Sequence, residues 1–204
     1  MPHDHADAPH ALLPSDPALR VKTLETVLAR KGLIDPAALD EIIDIYQNRI
    51  GPSNGARVVA RAWSDPVFKE QLLADADPVL AGLDYYGRQG EHMVVVENTP
   101  LQHNMVVCTL CSCYPWPLLG IPPGWYKSDA YRARAVREPR KVLSDFGVTL
   151  PEGTSVRVWD STAEVRYLVL PMRPEGTEGL SEDALTELVS RDSMIGMDIP
   201  KVFA

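Results

Sequence analysis

Cys108-Thr109-Leu110-Cys111-Ser112-Cys113 contains every cysteine of a 204-residue chain. Around it, the stretch from Asn98 to Tyr126 carries no Asp, Glu, Lys or Arg. Thiols this concentrated in so uncharged a segment point to a metal site. An odd, local set of thiols suits a disulfide framework poorly, because pairing any two leaves one over and the ring closed would be short.

The spacing narrows the metal if Cys111 and Cys113 bind one ion together with the backbone nitrogens of Ser112 and Cys113. Small contiguous chelate rings then wrap a plane of two sulfurs and two amide nitrogens. Cys108 is placed to supply an axial thiolate, and one octahedral position stays open. A deprotonated amide demands a strong Lewis acid, so on this hypothesis trivalent cobalt or iron fits better than zinc, calcium or magnesium.

Spacing alone leaves other readings open. A structural zinc site needs four ligands, and His103 or His92 could join the three thiolates. An iron–sulfur cluster usually takes a fourth cysteine, and the chain has none. Buried, unliganded cysteines are common in cores.

The wider string Val107-Cys-Thr-Leu-Cys-Ser-Cys-Tyr-Pro-Trp-Pro-Leu-Leu-Gly120, followed by Pro122-Pro-Gly-Trp-Tyr-Lys127, resembles the metal-binding segment of the nitrile hydratase α subunit family. The γ subunit of thiocyanate hydrolase shares the motif. Further stretches are similar in order: Gly51-Pro52, Ala62-Trp63, Val96-Glu-Asn98, Arg137-Glu-Pro-Arg140, Val158-Trp-Asp-Ser161, Leu170-Pro-Met-Arg-Pro174 and Ser193-Met-Ile-Gly196. The likeness covers about residues 17 to 197. Thr109 and Tyr114 resemble the cobalt type, where the iron type usually has Ser and Thr.

The resemblance implies hydration of a nitrile to its amide at a non-corrin Co(III) centre, with Fe(III) as the alternative. The implied ligands are Cys108, Cys111, Cys113 and the backbone nitrogens of Ser112 and Cys113. The residues matching Cys111 and Cys113 are oxidised in the family to sulfinic and sulfenic acid, which tempers thiolate donation and adds acceptor oxygens. The metal then polarises the nitrile or activates water, or the Cys113 sulfenate oxygen attacks the nitrile carbon. Both routes stay open. The resemblance also implies a β subunit, in a heterodimer or heterotetramer, and a metallation chaperone. Outside the ligands, Trp116 is expected to wall the substrate channel. Gln89, between Gly87 and Gly90, resembles a glutamine near the substrate. Glu164 and Arg166 match positions that support the site from behind, against the alternative of a surface ion pair.

Composition agrees with this assignment. At 45% hydrophobic, the chain can bury one sizeable core. A formal net charge of −8 argues against general nucleic-acid binding. No apolar run reaches membrane-spanning length, and Met1-Pro-His-Asp-His5 lacks the basic and apolar regions of a signal peptide, so a cytoplasmic location is expected.

Residues 1–14 read as a flexible, solvated tail. Four Asp-Pro pairs follow, Asp16-Pro17, Asp35-Pro36, Asp65-Pro66 and Asp77-Pro78. Asp caps orphan amides and Pro fits the first helical turn, so each pair predicts a helix start. Val21, Leu24, Val27 and Leu28 form one apolar stripe ending near Gly32. Leu39, Ile42, Ile43 and Tyr46 form a second, ending near Gly51. Residues 15–84 are therefore expected to be an N-terminal helical arm and helices, the arm over 15–50 packing partly on another subunit or folding back on its own domain.

Residues 85–204 change character. Met93–Glu97, Met105–Cys108, Ser155–Trp159 and Val165–Leu170 read as strands. A helical stretch from Asp129 to Phe146, broken at Pro139, lies among them. A last helix starts after Ser181 and ends before Gly196. The expected fold is α+β, a layered α-β-β-α metal-binding domain preceded by the helical arm. Lys127 to Lys141 is basic and predicts a solvated or intersubunit face.

Two functional alternatives stand beside the hydratase: a thiocyanate hydrolase γ-type subunit, and a non-catalytic, zinc-stabilised interaction module.

Overall fold

The structure, a computed structural model, describes residues 16–44, 51–85, 92–111 and 113–202. The expected tail over 1–14, Tyr46, Gln89 and Ser112 lie outside the described residues. The chain divides into two units, Met1–Ile45 and Tyr46–Ala204.

The first unit holds two helices, α1 (Asp16–Arg30) and α2 (Pro36–Asp44). Gly32 ends the first turn-out with a φ of 66°, a left-handed conformation that a side chain disfavours. Asp35 Oδ1 accepts from the Ala37 amide at 2.9 Å, as the Asp-Pro reading requires. Val21 and Leu24 on α1 are largely exposed.

The second unit opens on α3 (Pro52–Ser64), α4 (Pro66–Ala74) and α5 (Ala76–Gly82). α3 lies within the stretch expected to be helical, although no start signal is assigned to it. Gly55 has a packing reason: a Cβ there would meet Met194 Sδ at 2.6 Å and the Leu118 carbonyl oxygen at 2.8 Å. Asp65 caps α4, accepting from the Val67 and Phe68 amides, each at 3.0 Å. The expected start at Asp77-Pro78 is displaced. Asp75 is the cap of α5, and Asp77 instead accepts from the Met93 amide at 2.8 Å and pairs with His92 Nδ1 at 2.7 Å. Its carboxylate therefore ties the helix to the first strand rather than serving its own helix end.

Four strands form two parallel pairs. β1 (His92–Glu97) pairs with β4 (Val165–Leu170), and β2 (Gln102–Val107) with β3 (Ser155–Asp160). Neighbours in sequence thus pair with distant strands, which demands a long crossover. The crossover contains the short α6 (Trp116–Leu119), a 3-10 turn at Gly124–Lys127, α7 (Asp129–Arg137) and α8 (Pro139–Asp145). The helix breaks at Glu138, just before Pro139, as expected. The strand read as Met105–Cys108 ends one residue earlier, at Val107, so that Cys108 opens the loop.

α4 and α5 pack on β1, β2 contacts β4, and α8 lies against β3. Leu72, Leu80, Met105, Val106, Val107, Leu168 and Val169 are buried between them. Part of the basic 127–141 stretch is neutralised within the chain. Arg134 pairs with Glu138 at 2.7 Å and Asp145 at 2.8 Å, and Lys141 with Glu138 at 3.0 Å.

The C-terminal helix α9 (Glu182–Thr186) is capped by Ser181, whose hydroxyl accepts from the Ala184 amide at 3.3 Å. It is shorter than the sequence reading, and a 3-10 turn at Ser193–Ile195 follows before Gly196. Gly196 has a φ of 80°, and a Cβ there would lie 2.0 Å from the Asn104 carbonyl oxygen on β2. Its own carbonyl accepts from His103 Nε2 at 2.7 Å, and His103 Nδ1 sits 3.3 Å from Asn98 Nδ2. Both contacts are satisfied by a neutral ring protonated on Nε2.

Two predictions follow from this seam. Gly196→Ala combines a left-handed φ with a backbone clash and should destabilise the fold by about 3 kcal/mol or more, read as a fall in melting temperature. Burial, the largest cause, and the charge of Arg140 hold the His103 pKa below its ordinary value against the bond to Gly196. The unfolded chain then binds the proton more readily than the fold. Stability is complete above the ordinary histidine range and should fall as pH drops through the lowered pKa. His103→Gln should flatten that part of a denaturation-versus-pH curve; an unchanged slope would contradict the assignment.

Candidate metal centre

Cys108 is the first residue beyond β2, and the loop it opens is tied to the neighbouring strand. The Ser161 amide donates to the Val107 carbonyl at 2.7 Å. Asp160, at the end of β3, accepts from the Thr109 amide at 2.9 Å and the Thr109 hydroxyl at 2.5 Å. A carboxylate receiving two donors from one residue fixes the direction in which the chain leaves the sheet.

The three sulfurs converge. Cys108 Sγ lies 3.3 Å from Cys111 Sγ, which lies 2.9 Å from Cys113 Sγ, and all three fall within 4.8 Å of one another. None is in a disulfide. Cys108 and Cys113 are buried and Cys111 is exposed. The Cys111 amide also points to Cys108 Sγ at 3.3 Å. Among the described residues the cluster consists of these thiols alone. The two histidines that could complete a zinc site are engaged elsewhere, His92 with Asp77 and His103 with Gly196 and Asn98.

Burial pushes the Cys113 thiol up to about 12, helped by its bonds to Cys111 and Cys108 and opposed by Arg166. A coordinated metal reverses this balance, since a bound cation deprotonates a ligating thiol. The donor set suits such an ion: soft thiolates crowded at ligand spacing, with a fixed positive charge nearby. That charge is Arg166 on β4, which is 9% exposed; its Nε and Nη1 are buried without a hydrogen-bond partner. Buried guanidinium donors left unpaired call for anionic acceptors.

Behind the loop, Tyr114 is fully buried, with its ring edge-on to Tyr126 at 5.0 Å. The Tyr126 hydroxyl donates to the Cys113 carbonyl at 2.9 Å, and the Tyr131 hydroxyl to the Val106 carbonyl at 2.6 Å. Arg132 Nη1 reaches the Cys111 carbonyl at 3.4 Å and also pairs with Asp129. Trp116 is half-buried at the start of α6, and its amide donates to the Tyr114 carbonyl at 2.9 Å.

Of the residues expected at the site, the structure brings Cys108, Cys111, Cys113, Thr109 and Tyr114 into one loop and places Arg166 within electrostatic reach of Cys113. Glu164 is exposed on the turn before β4, where its carbonyl accepts from the His92 amide at 2.7 Å. Asp160, Tyr126 and Tyr131 were not singled out from the sequence. Asp160 lies within Val158-Trp-Asp-Ser161 and Tyr126 ends the uncharged stretch, but neither position announces a contact with the loop. A separate cavity of about 240 Å³, lined by Pro100, His103, Leu150, Pro171, Met172 and Ile199 among others, includes none of the thiols.

A model of the family "Nitrile hydratase, alpha chain" matches residues 15–198. The chain is 57% identical over 183 residues to the low-molecular weight cobalt-containing nitrile hydratase subunit alpha of Rhodococcus rhodochrous, spanning 90% of this chain and 88% of that one. It is 43% identical to thiocyanate hydrolase subunit gamma of Thiobacillus thioparus, over 76% of this chain and 69% of the other. Among solved structures, a double mutant of the Fe-type nitrile hydratase from Comamonas testosteroni Ni1 superposes with a TM-score of 0.85 at 41% identity, covering 92% of each chain. With a converging thiol triad in a loop between parallel strands, and a family match running nearly end to end, the chain belongs to the nitrile hydratase alpha chain family.

Proposed function

We propose that this chain is the α subunit of a nitrile hydratase, converting nitriles to amides at a non-corrin cobalt centre. The observation that carries this reading is the convergence of Cys108, Cys111 and Cys113 in a chain of this family. In it, the three sulfurs and the backbone nitrogens of Ser112 and Cys113 hold Co(III). The metal, when bound, supplies Lewis acidity.

The chain's own residues arrange the rest. Cys111 and Cys113 would be carried as sulfinic and sulfenic acid, an oxidation that needs an external two-electron oxidant such as oxygen or peroxide, and their oxygens would become hydrogen-bond acceptors at the mouth of the site. Arg166 offers buried charge-assisted donors to this anionic set, and Glu164 braces the turn that leads into its strand. Thr109, held by Asp160, and Tyr114, packed on Tyr126, set the loop shape that favours cobalt. Trp116 presents apolar surface to the substrate, and Gln89 orients it or its water. The two sheets lie face to face between helical layers in the order α-β-β-α. Residues 15–84 supply the helical arm and outer helices, and residues 85–204 the catalytic part.

The reading requires a β subunit, in an αβ heterodimer or its heterotetramer. Residues 98–126 contain no cation, so the loop itself cannot compensate oxidised cysteines. Leu110 is 89% exposed and Ile121 55%, apolar surface beside the loop that a partner would cover. Metallation by a chaperone in the reducing cytoplasm, where thiols persist, completes the reading. Among the described residues no helix is long and apolar enough to cross a membrane.

The similarity to thiocyanate hydrolase subunit gamma makes thiocyanate hydrolysis the second reading. Assaying the reconstituted complex on a simple nitrile and on thiocyanate separates the two. Iron in place of cobalt is the alternative metal, given the Fe-type neighbour.

Expression with a β partner and cobalt should yield nitrile hydration, while the chain alone should show little or none; equal turnover by a partner-free monomer would overturn the role given to β. Full activity with iron and no cobalt by elemental analysis would overturn the metal, and colourless stoichiometric zinc would favour the interaction module. Cys108→Ala, Cys111→Ala and Cys113→Ala should each abolish hydration and metal retention together. Wild-type turnover by any of them would refute the ligand set.

A further inference from the structure

Tyr126, Tyr131 and Arg132 belong to one short segment, the 3-10 turn at Gly124–Lys127 and the first turns of α7, and each donates to a different carbonyl of the thiol loop or its root. Tyr131 holds Val106 at 2.6 Å, Arg132 reaches Cys111 at 3.4 Å, and Tyr126 holds Cys113 at 2.9 Å. The contacts fall before the first cysteine, on the second and on the third. We propose that this segment is the positioning element of the metal centre, fixing the spacing between the end of β2, Cys111 and Cys113 and so governing how firmly the metal is kept and how fast the site turns over. This rests on the metal-centre reading above.

Carbonyls of a loop outside any ladder need partners, and at the buried Cys113 and at buried Val106, on the strand that leads into the loop, water is not at hand to supply them. The phenols meet that need from fixed positions. Tyr126 is fully buried and Tyr131 is 5% exposed. Trp125 stacks edge-on against Tyr131 at 4.9 Å and against Phe146 at 4.7 Å, and Tyr126 meets Tyr114 at 5.0 Å. Rings packed in this way cannot swing their hydroxyls elsewhere without opening a cavity. Ser128 fixes the direction of α7 by accepting from the Tyr131 amide at 3.2 Å, which keeps the two tyrosines and Arg132 in register with the loop. Asp160 and Thr109 anchor the same loop from β3, so the thiols are gripped from two sides.

The test uses the cobalt-loaded complex with β, carrying Tyr126→Phe or Tyr131→Phe. Phe keeps the ring packing and removes only the donor. Tyr126→Phe should release metal to a chelator under reducing conditions, and lose turnover, by a factor of roughly 10 to 100 relative to wild type. KM should stay within about twofold, because substrate binding is untouched while the reacting geometry is not. The visible thiolate-to-metal absorption should shift, a signature that loss of packing alone does not produce. Tyr131→Phe should move the same readouts in the same direction. Metal release and absorption identical to wild type in both variants, even with a lower melting temperature, would reduce these hydroxyls to core packing and overturn the proposal. Should Tyr126→Phe fail to assemble, Arg132→Met removes the donor at Cys111 from a partly exposed side chain while keeping its apolar stem, and unchanged metal release there would count equally against it. A wild-type complex that hydrates no nitrile would defeat the functional reading, while the chelator and absorption comparisons would still judge the positioning segment.

Discussion

Holding three thiols within 4.8 Å of one another, on a loop with no ladder of its own, is the constraint on which the rest of this structure depends. An unstructured loop would spread its sulfurs and lose the conformational entropy again on each metal-binding event. Here the loop is fixed by bonds that close around it. The parallel pairing of β2 with β3 brings Asp160 beside Thr109, and the crossover through α7 returns Tyr126 and Arg132 to loop carbonyls and Tyr131 to the Val106 carbonyl at the end of β2. Helix α3 supports α6 from behind, through Asn54 Nδ2 donating to the Pro117 carbonyl at 3.2 Å and the close approach at Gly55. Preorganisation of this kind lets ligand affinity go into binding rather than into ordering the site.

Electrostatics sets the second requirement. Thiolates, and the oxygenated sulfurs proposed here, are anions in a segment without cations, so compensating charge has to arrive from elsewhere. Among the described residues, Arg166 is the buried cation whose charge bears on Cys113, and Arg132 reaches the loop from α7. A guanidinium suits the task because its fork can serve two acceptors at once. Other arginines of the basic 127–141 stretch are spent differently: Arg134 is held by Glu138 and Asp145, and Arg140 by the carbonyls of Leu150, Pro151 and Thr154. The apolar exposure of Leu110 and Ile121 beside the loop gives the same reason for a partner from the packing side.

Much of the site was legible because its chemistry is local. Three cysteines in one hexapeptide state their spacing directly, and the family likeness of Thr109 and Tyr114 rests on adjacent positions. The Asp-Pro signals at Asp35 and Asp65 were legible for the same reason, since a cap and its amides are neighbours. What escaped depends on long-range pairing. Nothing in the order of four strands tells that β1 takes β4 and β2 takes β3, so Asp160 could not be placed beside Thr109 from sequence. Asp77 looked like a cap but satisfies β1 instead, because Asp75 stands two residues earlier in the better position. Helix α3 has no Asp-Pro signal of its own, and the close approach that requires Gly55 is a contact in space that sequence does not state. Tyr126 and Tyr131 carry no signal in sequence, and only the fold shows which carbonyls their hydroxyls meet.

The most direct test of the central claim, that Cys108, Cys111 and Cys113 together hold one catalytic metal, is X-ray absorption at the cobalt edge of the purified complex. The account predicts three sulfur neighbours for each cobalt, with the remaining first-shell scattering from nitrogen or oxygen and no imidazole ring signature. Cobalt surrounded only by nitrogen and oxygen, or a shell with fewer sulfurs and clear histidine scattering, would contradict it.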